Sequence, residues 1–257
     1  MPRSEPQPAR KPRWPRRAVP KPQQSANRPD PLAKDDEARY PDLGVPPMTS
    51  DHWQALMDGA GTLQTRYADR DDVFVGANLT LYYLDGSEER AIQPDVFVSF
   101  GSPKRPRRVW LAWEEGKLPD FVLEVASKST HPRDEGEKRA IYERMGIAEY
   151  WQFDPTGEYL NPALQGLRLN ANGTYEPLPL TTIPSGMLYG VSSVLDLHVC
   201  RDGSRLRLFD PAAGEFLPTN LEKDDLLARE RHAAVEKDRA LEAAVAEIKE
   251  LKRRLGE

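Results

Sequence analysis

The sequence predicts a protein of the α/β (α+β) class, and three observations support this prediction. A helix with a capping signal precedes several short segments rich in β-branched and aromatic residues, which are typical of strands. In the middle of the chain, two apolar strand-like segments flank a helix-like segment. The last forty or so residues are rich in Ala, Glu, Lys, Arg and Leu and lack proline, as expected of a long helix. A chain of 257 residues allows one sizeable domain with appendages.

Composition excludes several classes of protein. With 39% hydrophobic and 30% charged residues, the chain resembles a soluble protein with a core. Its apolar runs are far shorter than the roughly 20 residues that a membrane helix needs, so we expect no membrane association. Cys200 is the single cysteine, which excludes an internal disulfide and a thiolate zinc cluster and favours a cytoplasmic location. The net charge of −5 excludes a uniformly basic nucleic-acid-binding protein.

Residues 1–47 are rich in proline, arginine and lysine and contain scarcely any apolar cluster. Such a segment buries too little surface to offset the entropy lost on ordering, so we predict a disordered arm. Its basic first part admits two interpretations, a loose arm that contacts phosphate groups or a solvated tail.

Residues 48–218 form the predicted domain. Thr49 and the two residues after it resemble a helix N-cap, and the spacing of Trp53, Leu56 and Met57 predicts that these three face the core. The following segments predict an antiparallel meander, with strands at 72–76, 77–84 and 91–100.

The second half of the domain is predicted as strand, helix and strand. The strands span 121–125 and 148–153, and the helix between them spans 134–145 and ends at Gly146. Short strand-like pieces up to residue 217 are interpreted as peripheral hairpins. The loop 101–108 holds four basic residues, which either contact phosphate or are simply solvated.

Residues 219–257 are predicted to form a long helix, because apolar residues recur at heptad spacing. They are Leu227, Ala234, Leu241, Ile248 and Leu255. This pattern favours a coiled coil and therefore a homodimer joined through the C-terminal helix. The alternative is an amphipathic helix that folds back on the domain.

The central segment contains the candidate site. Asp95 and Glu124 each lie in an apolar strand, where burial of a carboxylate is costly unless it is paired or bound to a metal. Mg²⁺ or Mn²⁺ would be bound by both carboxylates and by the carbonyl of Val125, and would activate a water molecule toward a phosphoryl group. Lys138 follows Asp134 by four residues on the predicted helix and is the candidate for a catalytic lysine.

A structural interpretation of the same residues stays open. Asp95 follows Pro94 and is able to cap a turn at the start of a strand. Glu124 is able to pair with Arg139 or Arg144, and Lys138 to be an ordinary solvated residue. The presence of two acids in apolar strands together with the lysine favours a site.

The segments PDV, PDFVLEVAS and MGIAEYWQFDP, with the D-x-x-x-K-x-x-x-Y helix between the second and third, resemble the Uma-two family. This bacterial family has the restriction-endonuclease-like fold of the PD-(D/E)XK nucleases. The resemblance is most specific over Gln93–Pro155. It implies a mixed central sheet flanked by helices and a metal-dependent nuclease site, in which Asp95 and Glu124 correspond to the two acids.

The sequence departs from the PD-(D/E)XK pattern at its lysine. Two residues after the second acid, where both side chains leave the same face of the strand, the chain has Ala126. In the family that the chain resembles, the lysine is displaced onto the following helix, which here implies Lys138. Tyr142 and Gln152 are placed to line the pocket, although core packing is the simpler explanation for Tyr142.

The function that these features predict is a metal-dependent endonuclease hydrolysing DNA phosphodiester bonds. The alternative is a catalytically inactive module of the same fold that binds nucleic acid or protein and dimerises. A hydrolase of another phosphate ester is a third possibility.

Overall fold

The computed structural model describes residues 40–44, 48–85, 91–128 and 134–255. The part of the predicted arm before residue 40 lies outside these residues. The predicted α/β class is confirmed, because helices and sheets both contribute to the domain. The described α-helices are α1 (Ser50–Arg66), α2 (Ala112–Glu115), α3 (Arg139–Met145) and α4 (Asn220–Leu255).

The main sheet is mixed, as predicted, with strand order β1-β4-β6-β7-β8-β9. Strands β6 and β7 pair in parallel, and the other neighbours in this sheet are antiparallel. Its strands are β1 (Val73–Ala77), β4 (Val96–Phe100), β6 (Phe121–Val125), β7 (Glu149–Phe153), β8 (Leu164–Leu169) and β9 (Tyr175–Pro177).

Two further sheets complete the domain. A small three-stranded sheet contains β2 (Leu81–Tyr82), β3 (Ala91–Ile92) and β5 (Trp110–Leu111). A five-stranded antiparallel sheet contains β10 (Leu180–Thr182), β11 (Leu188–Ser192), β12 (Leu197–Asp202), β13 (Arg205–Asp210) and β14 (Glu215–Phe216).

Helix α1 packs against both larger sheets. Its N-cap is Thr49, as predicted, whose side chain accepts a hydrogen bond from the amide of His52. The core around α1 takes residues from the main sheet, such as Leu123, and from the five-stranded sheet, such as Leu206. The expectation that Trp53 faces this core is wrong, because 52% of the residue is exposed. The contact depends instead on small residues such as Gly59, which lets the two sheets approach the helix closely.

The predicted peripheral hairpins are therefore part of the core. Alternate residues of β12 and β13 point inward, and their side chains join the cluster that contains α1. Sequence spacing identified the strands but not their position, because that position depends on contacts distant in sequence.

Residues 40–44 also differ from the prediction, which placed them in the disordered arm. Tyr40 is buried, and its ring packs against Tyr82 and Trp113. The hydroxyl of Tyr82 donates to the carbonyl of Pro41, and the side-chain amide of Gln93 donates to the carbonyl of Gly44. The domain consequently begins at or before Tyr40.

The predicted helix over 134–145 begins with a π-helical turn, Asp134–Lys138, and continues as α3. Gly146 ends α3 in a left-handed conformation with φ of 76°, as expected of a residue after a helix terminus. The buried residues of α3, Ile141, Tyr142 and Met145, share a core with Val122 and Tyr150 of the main sheet. This core lies on the face of the sheet opposite to α1.

The chain divides into two compact units, and the second spans Pro218–Glu257. It consists of the 36-residue helix α4. The hydroxyl of Thr219 accepts from the amide of Glu222, whose carboxylate accepts from the amide of Thr219, which forms a capping box. Apolar residues along α4 are about half exposed, including Leu227, Leu241 and Ile248.

A bilayer-spanning helix requires more length and apolar character than any helix in the described residues possesses.

Candidate active site

Four polar residues form a row across four neighbouring strands of the main sheet. The pairing of β1 with β4 continues to Asn78 opposite Asp95, where the Asn78 amide donates to the Asp95 carbonyl at 3.0 Å. The pairing of β4 with β6 places Asp95 opposite Glu124, and Glu124 is the register partner of Gln152 on β7. Directly opposed residues have Cβ atoms about 4.5–5.5 Å apart, so the side chains in this row are neighbours.

Glu124 and Gln152 lie on the face of the sheet that α3 covers. Side chains alternate between the faces of a strand, and Val122 and Tyr150 already pack against α3. Two residues further along, Glu124 and Gln152 point the same way, and Glu124 is completely buried. Asp95 directly precedes β4, so it lies at the end of the sheet, next to Glu124 by register and in contact with α1 through His52.

Glu124 is held by two donors from the helix that follows its strand. The ammonium group of Lys138 donates to Oε2 at 2.8 Å, and the hydroxyl of Tyr142 donates to Oε1 at 2.6 Å. Lys138 ends the π-helical turn, and Tyr142 lies one helical turn later on the same face. Glu124 is therefore paired with a lysine and a tyrosine, whereas the structural alternative from the sequence was a pair with Arg139 or Arg144.

Asp95 is held from two other elements. Its Oδ2 accepts a hydrogen bond from the Val125 amide at 2.7 Å, and its Oδ1 lies 3.2 Å from Nε2 of His52 on α1. Burial alone would raise the pKa of Asp95. The hydrogen bond and charge of His52, the charge of Lys138 and the Val125 amide outweigh this effect, so the pKa lies below its ordinary value. Asp95 is therefore a carboxylate at neutral pH, and its environment contains the Lys138 ammonium group.

The structure thus brings together the three side chains that the sequence singled out. Lys138 reaches Glu124 from the helix, whereas Ala126 is buried at the end of β6 and Lys128 is exposed. Val125 contributes its amide to Asp95, and a role for its carbonyl in metal binding stays a prediction. Asp134 was expected to support Lys138. The structure describes its backbone, in the π-helical turn, but not its side chain.

The oxygen atoms around Asp95 and Glu124 are of the kind that binds a hard divalent cation. In the described part of the chain, no group of three or more His, Cys, Asp or Glu side chains lies close enough to hold a metal ion. A cation here would depend on the two carboxylates, carbonyl oxygens and water, which is the arrangement that Mg²⁺ favours. Oδ1 of Asn78, an oxygen of this kind, is buried without a hydrogen-bond partner among the described residues.

Sequence reasoning missed His52 and Asn78. The four histidines show no ligand spacing along the chain, and the contact of His52 with Asp95 spans 43 positions. Asn78 lies inside the predicted strand 77–84. In the structure it directly follows β1 and has a φ of 47°, a left-handed conformation that asparagine tolerates better than most residues.

The basic loop 101–108 is largely used by the fold itself. Arg105 and Arg107 both pair with Glu115, and the Arg107 guanidinium stacks over the ring of Phe74 at 4.2 Å. The ammonium group of Lys104 donates to the carbonyls of Tyr67 and Ala68, at the end of α1. These contacts favour neither predicted interpretation, a phosphate contact or a solvated loop, for these three cations.

The family of the chain follows from its match to a family model, which includes the candidate site. Among curated proteins, none matches the chain. A solved structure, described as a "putative nuclease belonging to DUF820" from Anabaena variabilis, matches with 14% identity and a TM-score of 0.40, covering 56% of this chain and 77% of that one. The model of the Uma2 family, described as "Putative restriction endonuclease", matches residues 39–193. These residues include the acid pair, Lys138 and the whole of the main sheet, and on this match the chain belongs to the Uma2 family.

Proposed function

We propose that the domain is a divalent-metal-dependent endonuclease that hydrolyses DNA phosphodiester bonds. The observation that carries this proposal is the convergence of Asp95, Glu124 and Lys138 at one end of the main sheet. Two buried carboxylates beside a buried ammonium group form an arrangement suited to bind a cation and a phosphate group together.

Each residue has a distinct role in the proposed reaction. Asp95 and Glu124, with the Val125 carbonyl, would hold Mg²⁺ or Mn²⁺. When bound, this cation supplies Lewis-acid stabilisation and an acidified water. Tyr142 and the Val125 amide fix the orientations of the two carboxylates. Lys138 places a positive charge where negative charge develops on the phosphoryl oxygens.

The proposal is tested with plasmid DNA and Mg²⁺ or Mn²⁺. We expect Asp95→Ala and Glu124→Ala to reduce the cleavage rate by about 100-fold or more, because each removes a ligand worth several kcal/mol of transition-state stabilisation. Lys138→Met should lose roughly 100-fold, as when one electrostatic donor is removed. Asp72→Asn is the matched control, because Asp72 is an exposed acid paired with Arg70.

Unchanged cleavage in both alanine variants would exclude this site. Calorimetric titration with Mn²⁺ distinguishes the alternative of an inactive module. If the wild-type protein binds no Mn²⁺ at millimolar concentration, the domain is a binding module of the nuclease fold.

A further inference from the structure

Buried polar atoms without partners collect around the acid pair. Among the described residues, they include Nδ1 of His52, Oδ1 of Asn78 and Nε2 of Gln152. A buried donor or acceptor that lacks a partner costs about 1–3 kcal/mol, so proteins rarely retain one without a ligand or water to satisfy it. The three residues neighbour the acid pair: His52 contacts Asp95, Asn78 follows β1 opposite Asp95, and Gln152 is the register partner of Glu124.

Gln152 differs from the other two because it lies on the Glu124 side of the row, next to the acid that Lys138 contacts. Gln152 is only 3% exposed and is the register partner of Glu124 on the neighbouring parallel strand. Its amide nitrogen therefore lies in a buried site beside an acid, yet it has no acceptor among the described residues. A ligand with an oxygen acceptor would satisfy it.

Lys138 indicates which ligand this is. Its ammonium group donates to Glu124 at 2.8 Å, so the buried amide of Gln152 lies beside a carboxylate that already has a cationic partner. A side-chain amide close to an ammonium group suits an anion with oxygen acceptors, such as a phosphate group.

From this arrangement we infer that Gln152 is a substrate-binding residue, whose side-chain amide donates a hydrogen bond to a non-bridging oxygen of the bound phosphodiester. This inference rests on the proposed nuclease function and adds the residue that orients the phosphate group. Gln152 fixes the side of the acid pair on which the phosphate lies, and Lys138 contacts the site from the helix.

The test compares Gln152→Met with wild type in two measurements. Binding of a DNA oligonucleotide duplex is measured in Ca²⁺, together with binding of inorganic phosphate. We expect both affinities to fall roughly tenfold to a hundredfold, because a hydrogen bond to a charged group is lost. We expect Mn²⁺ affinity without DNA to stay unchanged, because the amide nitrogen is not a metal ligand.

The midpoint of thermal unfolding distinguishes this inference from a purely structural role of Gln152, because the two predict opposite changes in the midpoint of Gln152→Met. Removal of an unsatisfied buried polar group should leave the midpoint unchanged or raise it. A lowered midpoint with unchanged ligand affinity would overturn the inference. Gln165→Leu is the matched control, because Gln165 is the register partner of Gln152 one strand farther from Glu124 and is partly exposed. It should bind DNA and phosphate as wild type does.

The two proposals fail in distinguishable ways. If Asp95→Ala removes cleavage and Mn²⁺ binding while Gln152→Met retains wild-type affinity for both ligands, only the role of Gln152 is excluded. If Asp95→Ala cleaves as wild type does, the proposed site is excluded. Wild-type protein that binds neither oligonucleotide nor phosphate in Ca²⁺ would exclude both.

Discussion

The buried acids of this domain differ in the kind of donor that surrounds them. Glu149 accepts hydrogen bonds from Trp151, Ser192, Ser193 and Arg168, and these contacts join β7 to β8 and to the five-stranded sheet. The donors to Glu149 connect structural elements. Glu124 instead has the buried ammonium group of Lys138 as a partner, and the charge of the same lysine also acts on Asp95. The distinction between a structural acid and a site acid therefore depends on the neighbours of each acid.

Asp154 is a second structural acid, and it organises the loop after β7. Its two carboxylate oxygens accept from the amides of Thr156, Gly157, Tyr159 and Leu160. Burial would raise the pKa of Asp154, but these hydrogen bonds outweigh burial and the pKa is lowered.

Asp154→Asn should destabilise the domain at neutral pH by about 1–3 kcal/mol. The substitution replaces one carboxylate oxygen with an amide nitrogen, which cannot accept hydrogen bonds from the backbone amides of the loop. The pKa of Asp154 is lower in the folded protein than in the unfolded chain, where it is about 3.9. The ionised carboxylate therefore stabilises the fold fully above the unfolded-state pKa, and this stabilisation is lost as pH falls through the folded-state pKa. The difference from wild type should therefore narrow below about pH 4. Urea unfolding between pH 3 and 7 measures it.

Asp202→Asn provides the control, since Asp202 is exposed at the end of β12. A stability difference for Asp154→Asn that is the same at every pH would contradict an ionised carboxylate in this loop.

At this scale the sequence predicted the site acids better than their partners. Asp95 and Glu124 were recognisable because charged residues interrupt apolar strands. His52 and Asn78 were not, since neither the register of the sheet nor the position of α1 follows from local spacing. Tyr142 illustrates the same limit: it is fully buried, as core packing predicts, and it also donates to Glu124.

Among the elements, the π-helical turn before α3 is the one that delivers the lysine. A π-helical turn is rare in proteins and is frequent at functional sites. Here it ends at Lys138, so the lysine enters the site from a helix, while the residue that directly follows β6 is Ala126, which is small and buried. The lysine is therefore not two residues after the second acid, as in the PD-(D/E)XK pattern, but its ammonium group still contacts that acid, Glu124.

Two sheets meet at Trp151, and two glycines make room for its ring. A Cβ atom on Gly166 of β8 or on Gly190 of β11 would lie 2.8 Å from ring atoms of Trp151. Because an indole ring is rigid, it has little freedom to move aside. The close approach of the two sheets therefore requires glycine at these positions.

Gly190→Ala should destabilise the domain by about 1–3 kcal/mol, which is typical of overpacking in a dense core. Gly136→Ala is the control, because a Cβ there meets nothing within 4 Å. Chemical unfolding of both variants measures the difference. Equal stability of Gly190→Ala and wild type would show that the two sheets are not packed this closely.

Local patterns predicted most elements and misassigned how some of them associate. The central strands and the helix after β6 were identified from apolar runs and from Gly146. The five-stranded sheet was taken as peripheral because its strands are short and broken by turns, and nothing local indicates that Leu197 or Leu206 reaches α1. Local sequence patterns carry no information about which elements distant in sequence pack together.

On the scale of the whole molecule, α4 carries apolar residues that the described structure leaves exposed. Leu241 is 63% exposed and Ile248 is 54% exposed. They recur at heptad spacing with Leu227, which supports the proposal that a second copy of α4 covers them in a coiled coil.

Leu241→Asp should weaken a dimer formed through α4 by at least tenfold, because each buried leucine contributes about 1.5–3 kcal/mol and a charge replaces it in both copies. Arg239→Asp introduces the same acid with a larger change in charge, minus two instead of minus one, away from the heptad positions, and should leave the dimer intact. Sedimentation equilibrium at several protein concentrations measures the association. A wild-type chain that is monomeric throughout would exclude the dimer.

The row of polar residues also constrains how the strands can change length during evolution. One residue inserted within β6 or β7 before its site residue would turn Glu124 or Gln152 to the opposite face of the sheet, where α1 packs. Insertions in the connecting loops leave the row in place. Sequence length in this family should therefore vary between the strands, while the short intervals inside them stay fixed.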